Sequence, residues 1–133
     1  MRIMVSGSRD YKDYEFIRSM LEDAAGSARE VTVIHGNARG ADKLAGEAAE
    51  EYGFRVEAYP ADWSLGKRGG SVRNGEMLIK NIDIVLFFFY SGSANAGTRD
   101  AAKKAIQMEV PSRYFLDDEE LTIVELKKRV RPF

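Results

Sequence analysis

The side chains best able to do chemistry in this chain of 133 residues fall into four short polar stretches. The first is Gly7-Ser8-Arg9-Asp10. Gly7 allows a tight exit from a strand, Ser8 offers a hydroxyl, and Arg9 offers a forked cation suited to phosphate or carboxylate. An ordinary turn carrying a surface arginine would use the same residues. The second stretch runs His35-Gly36-Asn37-Ala38-Arg39-Gly40-Ala41-Asp42, with Gly36 and Gly40 flanking a polar turn that leads straight into helical spacing. Free N–H groups at a helix start, together with the positive end of the dipole, form an anion site, and Arg39 adds charge there. Asp42 has two readings: a residue that favours the helix N-terminus, or one that binds a ribose hydroxyl. His35 ends an apolar run, which fits a structural imidazole as well as a ligand contact.

The third stretch, Pro60-Ala61-Asp62-Trp63 through Asn74, carries the only tryptophan and the cations Lys67, Arg68 and Arg73. Long ordered loops in compact domains are often functional. Trp63 suits stacking on a base or covering the edge of a core. Arg73 stands near a helix start, where the dipole disfavours cations, so a ligand anion or a nearby carboxylate such as Glu76 is expected to offset the cost. The fourth stretch is Tyr90 to Arg99. Its small residues around Gly92 and Asn95 leave room for a ligand near the backbone, and Gly97-Thr98 would present N–H groups and a hydroxyl at the next helix start. None of these stretches is a P-loop, and there is no GxGxxG with an acidic residue closing the second strand.

The loops at 7–10, 35–42 and 90–99 are expected to converge on one rim, and the hydrophobic pattern predicts the scaffold that would do so. Apolar or β-branched runs occur at Arg2–Ser6, Val31–His35, Phe54–Tyr59, Ile82–Phe89 and Val110–Leu116. The first, second and fourth lack clean alternation, as expected of strands covered on both faces. Phe16, Ile17, Met20, Leu21 and Ala24 form one helical stripe; Leu44, Ala45, Ala48, Ala49 and Tyr52 form another, which Gly53 ends. Further helices are expected over 70–80 and 97–108, and a last one capped by Asp117 or Asp118 and running to Val130. The alternation predicts one α/β domain over residues 1–133: a Rossmann-like, three-layer fold with a parallel five-stranded sheet in the order 3-2-1-4-5. Ligands bind such sheets beyond the strand C-termini at the switch point, here between the first and fourth strands.

Composition narrows the function classes. At 44% hydrophobic and 31% charged the chain reads as globular, and 20 basic against 21 acidic residues supply no cationic excess for nucleic acid or an anionic membrane. The absence of cysteine excludes disulfides and thiolate metal sites, and a single histidine excludes a multi-histidine site within one chain. No metal site or cofactor is evident, apart from a Mg2+ ion that would accompany a phosphate ligand. The opening MRIMVSGSRD turns polar too soon for a secretory signal, and the longest apolar run, Ile82 to Tyr90, falls far short of the roughly 20 residues of a membrane span. A cytoplasmic location is expected.

The segments GSRDY (7–11), HGNARGADKLAGEAA (35–49), YPADW (59–63) and GGSVRNGEM (69–77) resemble, in order and spacing, the small YspA-like branch of the SLOG superfamily. The resemblance covers roughly residues 2–116 and implies a Rossmann-like nucleotide-binding fold. Relatives include DNA-processing proteins, LOG phosphoribohydrolases and sensors of nucleotide-derived signals. In LOG enzymes an Arg-Lys pair precedes the fourth strand and a PGGxGTxxE motif follows it. Arg73-Asn74 stands where the pair falls, and Gly97-Thr98 matches the Gly-Thr. Phe89-Tyr90-Ser91-Gly92 replaces the Pro-Gly-Gly, and the final Glu position falls on Ala101, with Asp100 one residue earlier and about 100° around the helix. N-glycosidic cleavage needs a placed carboxylate, so Arg73 and Asp100 are the catalytic candidates if there is turnover. The expectation is a sensor or binding domain for a nucleotide or nucleotide-derived small molecule. The alternatives are a LOG-like nucleotide hydrolase and a DNA-related accessory protein. The resemblance also implies a homodimer or higher homo-oligomer; the final Phe133 would serve such contacts or pack on its own core.

Overall fold

A computed structural model describes residues 1–133. The strands are β1 (Arg2–Gly7), β2 (Thr32–His35), β3 (Arg55–Ala58), β4 (Ile84–Phe89), β5 (Ser112–Leu116) and β6 (Glu119–Leu121). The helices are α1 (Tyr14–Ala25), α2 (Ala41–Glu51), α3 (Gly69–Leu78), α4 (Ala96–Gln107) and α5 (Ile123–Arg129), and a 3-10 segment, Trp63–Arg68, leads into α3. They form one sheet in the order β3-β2-β1-β4-β5-β6. The first five strands pair in parallel, with Met4 opposite both Ile34 and Val85, and β6 is antiparallel to β5.

The pattern of the strands explains this order. Ile3 to Val5 and Val85 to Phe89 are fully buried, so β1 and β4 take the centre, where both faces are covered. Alternate residues then serve opposite layers. Ile3, Val5, Val33, Leu86 and Phe88 pack against Ile17 and Leu21 of α1 and Ala45, Ala48 and Ala49 of α2. Met4, Ile34, Val85, Phe87 and Phe89 pack against Met77 of α3, Ala101, Ala102 and Ala105 of α4, and Leu126 of α5. The alanines let α2 and α4 lie close to the sheet, bringing their N-termini up to the ends of the strands. Asp13 caps α1 by accepting from the Phe16 N–H, and Gly53 follows α2 at φ 74, a left-handed position that suits glycine.

The C-terminal segment departs from the expected pattern. Asp117 and Asp118 do not cap the last helix. They form the two-residue turn of a β5–β6 hairpin, with Asp117 at φ 55 and its carboxylate accepting from the Ser91 N–H at 3.0 Å. The added strand is held by a two-pronged pair, Arg113 to Glu120 at 2.8 and 2.9 Å. Helix α5 starts later, at Ile123, and its N-cap Thr122 forms a capping box with Glu125. Phe133 packs on this protein's own core, its ring 6.1 Å from that of Phe89. No helix is long and apolar enough to cross a membrane.

Candidate functional site: a cleft at the C-terminal rim of the sheet

The loops after β1, β2, β3 and β4 meet over the β1/β4 switch point and enclose a two-lobed cleft. The larger lobe, about 510 Å3, is floored by Ser6, Asp42 and Thr98 and walled by the α3 and α4 N-termini. The outer lobe, about 440 Å3, lies between Gly36–Arg39, Pro60-Ala61 and Trp63. Arg9, Arg39, Trp63 and Arg73 border both.

Two glycines make this convergence possible. A Cβ on Gly7 would strike Ala41 and lie 2.7 Å from the Phe88 carbonyl oxygen, so α2 closes on β1 only because Gly7 has no side chain. Gly40, at φ 78, presses against the Ser8 and Arg9 carbonyls. The Ser8 carbonyl accepts from both the Tyr11 and Ala41 N–H groups, and its hydroxyl accepts from Asp10 N–H at 3.1 Å, which stitches the first loop to the start of α2.

The loop after β2 is arranged differently from the expected anion cradle. Gly36 and Ala38 donate their N–H groups to Asp42 Oδ2 at 3.0 and 3.3 Å, and Asn37 donates to His35 Nδ1 at 2.9 Å. The chain's own carboxylate therefore takes the place an anion would occupy there. Asp42 neither caps its helix by a side-chain bond nor lies free, because it braces the preceding loop. His35, 4% exposed and packed beside Gly46, does not line the cleft, and burial with Lys43 and Arg73 nearby holds its imidazole below the usual value. Gly40 and Gly92 also lie outside the lining; Gly92 is a seat for the Tyr90 ring.

Burial pushes the Asp42 carboxyl up to about 6, against the pull of Ala38 and Gly36 N–H and of Arg73 and Arg9. A folded value raised above the unfolded 3.8 gives stability that is full below the unfolded value and is lost as pH rises through 6. Two units correspond to about 3 kcal/mol. Asp42→Asn keeps an acceptor for both N–H groups and cannot ionise. Its melting temperature should match the wild type near pH 4 and exceed it increasingly toward pH 7. A difference independent of pH would refute the ionisation.

The remaining cations set the rim. Arg73 is partly buried and held by chain carbonyls: its Nη1 donates to the Gly36 and Tyr59 oxygens and its Nε to Asn74 Oδ1 at 3.1 Å. Glu76, the carboxylate expected to answer Arg73, forms no bond with it; Asp42 is the carboxylate whose charge acts on the guanidinium. Arg9 lies 5.6 Å from the Trp63 ring centroid, and Arg39 pairs loosely with Asp10 at 3.6 Å. Trp63 is 55% exposed and rests on the glycine pair that opens α3, where a Cβ on Gly70 would lie 3.4 Å from its ring. It covers no core edge.

At the fourth loop, Asn95 is consumed by the backbone: its amide bonds Tyr90 N–H, Tyr90 O and Ser93 O at 2.9 to 3.0 Å. It shapes the α4 N-terminus, whose residues Ala96, Gly97 and Thr98 line the larger lobe. Asp100 is also engaged. Oδ1 accepts from Ser71 and Lys104, and Oδ2 from Asn74 and Lys104. Burial raises its pKa, but the bonds from Lys104, Asn74 and Ser71 outweigh that and hold it low. Ala101, at the family Glu position, is wholly buried against the sheet. The fold assembles no group of three acidic or histidine side chains that would hold a metal.

The signature described as the YspA, cpYpsA-related SLOG family matches residues 1–66, the half that carries the first two loops and Trp63. Gene 61 protein of Mycobacterium phage D29 is 36% identical over 123 residues, covering 87% of this chain and 97% of that protein. The chain belongs to the YspA, cpYpsA-related SLOG family. No solved structure matches it. The signature spans the Gly-rich loops after β1 and β2 and Trp63, whereas Arg73 and the α4 loop lie beyond it.

Two contributors were not singled out from sequence. Ser6 ends an apolar run and gave no polar signal beyond its type. Lys104 stands four residues after Asp100, a spacing that marks a helical ion pair and was open to recognition.

Proposed function

We propose that the cleft binds a nucleotide or nucleotide-derived small molecule and that the protein acts as a binding or sensing domain. One observation carries the reading: the floor presents to the cleft polar groups that take no protein partner. Ser6, Thr98 and Asp42 are only 8%, 3% and 5% exposed, yet the two hydroxyls and Asp42 Oδ1 take no protein partner and stay open to the cleft. Buried polar groups are normally paired, so these face a cleft that polar ligand atoms would fill. Sugar hydroxyls suit that floor. A phosphate suits the α4 N-terminus opposite Arg73, and a base suits the exposed Trp63 face. A divalent cation would enter with the phosphate.

The same geometry argues against LOG-type hydrolysis, because Asp100 is tied to Lys104 and Ala101 is buried. Adenosine 5′-monophosphate at ten times its Kd should stabilise the protein by about 1.4 kcal/mol, a rise of roughly 5 °C. No adenine or ribose 5-phosphate should be released. Silence of a millimolar nucleotide panel would sink the binding reading. Release that is lost in Arg73→Ala would replace it with the hydrolase.

A further inference from the structure

We propose that Asp100 is a positioning residue that aims Arg73 into the cleft through the Asn74 amide. The idea rests on the reading above only in taking Arg73 as the group that meets the ligand's phosphate. Asn74 is 4% exposed and sits between the two charges. Its Nδ2 donates to Asp100 Oδ2 at 3.0 Å and to the Gly97 carbonyl at 3.3 Å, while its Oδ1 accepts from Arg73 Nε at 3.1 Å. The reversed amide would set donor against donor at Arg73 and acceptor against acceptor at Asp100. The Asp100 charge therefore dictates which end of Asn74 faces Arg73. With Nε held by Asn74 and Nη1 on the Gly36 carbonyl, Nη2 is the guanidinium nitrogen left without a protein partner. Lys104, at 2.7 and 2.8 Å, keeps Asp100 ionised, and Ser71 fills the remaining site on Oδ1. The relay joins α4 to α3 at the cleft wall, and it gives the carboxylate that resembles a catalytic one a different task.

A double-mutant cycle on adenosine 5′-monophosphate binding separates the two roles. Asp100→Ala should weaken binding about tenfold in the wild-type background and less than about twofold in Arg73→Ala. Additive losses would mean that Asp100 touches the ligand itself, and unchanged binding would mean that it does nothing; either overturns the proposal. A second readout needs no ligand. The Arg73 Nε–H signal in 1H–15N spectra, assigned by its loss in Arg73→Lys, should exchange slowly in the wild type and rapidly in Asp100→Ala. Unaltered exchange would overturn the relay even if the cleft binds no nucleotide. Should the alanine variant fail to fold, Asp100→Leu, which is of similar size and offers no acceptor, is put through both measurements with the same signs expected.

Discussion

Arg73→Ala should lower affinity for adenosine 5′-monophosphate at least about a hundredfold, because it removes a partly buried, charge-assisted donor worth roughly 2–3 kcal/mol or more. The guanidinium is immobilised before any ligand arrives, by Gly36 O, Tyr59 O and Asn74 Oδ1, so little ordering cost remains on binding. Gly36→Ala gives the companion test. The Gly36 backbone has ordinary φ, so alanine is tolerated there, but its Cβ would fall on Arg73 Nη1. The long side chain must swing away, and affinity should drop toward the Arg73→Ala level with little change in melting temperature. Calorimetry on both variants checks the pair. Wild-type affinity in Gly36→Ala would show that the guanidinium position does not matter.

Gly40→Ala should be the most destabilising small substitution at the site. The residue combines φ 78 and ψ −131 with carbonyl oxygens of Ser8 and Arg9 where a Cβ would sit. A left-handed backbone costs a side-chain-bearing residue about 1–3 kcal/mol, and the overlap with backbone atoms adds a similar amount. The loss should reach about 3–5 kcal/mol, seen as a melting temperature lowered by roughly 10 °C or more. Gly26 is the internal control: its φ is also positive, at 54, but nothing crowds it, so Gly26→Ala should cost only the backbone share. Equal losses at the two positions would place the whole effect in φ and remove close approach from the explanation.

Much of the fold was legible because the signals are local. The apolar runs at Ile3–Val5 and Val85–Phe89 needed no partner to be recognised as central strands, and the alanine stripe of α2 marked a helix lying close on a sheet. The last segment was misread because Asp117-Asp118 makes an equally good helix cap or hairpin turn. Arg113 meeting Glu120 and Ser91 N–H meeting Asp117 settle the matter, and neither contact is local. Arg9, Trp63, Arg73 and the Gly97-Thr98 helix start border one cleft.

Residue types and spacing were enough to establish the layered α/β order and the polar side chains carried by the loops that follow the strands. Such features depend on periodicity and on what glycine, proline and charge do to their immediate neighbours. Tertiary structure decided how those side chains are used. Asp42 turns back onto Gly36 and Ala38, and Asp100 is claimed by Ser71, Asn74 and Lys104. Ser6 and Thr98 are left unpaired on the floor. A carboxylate's partner is chosen by whatever lies within about 3 Å, and most of those neighbours come from elements far apart in the chain.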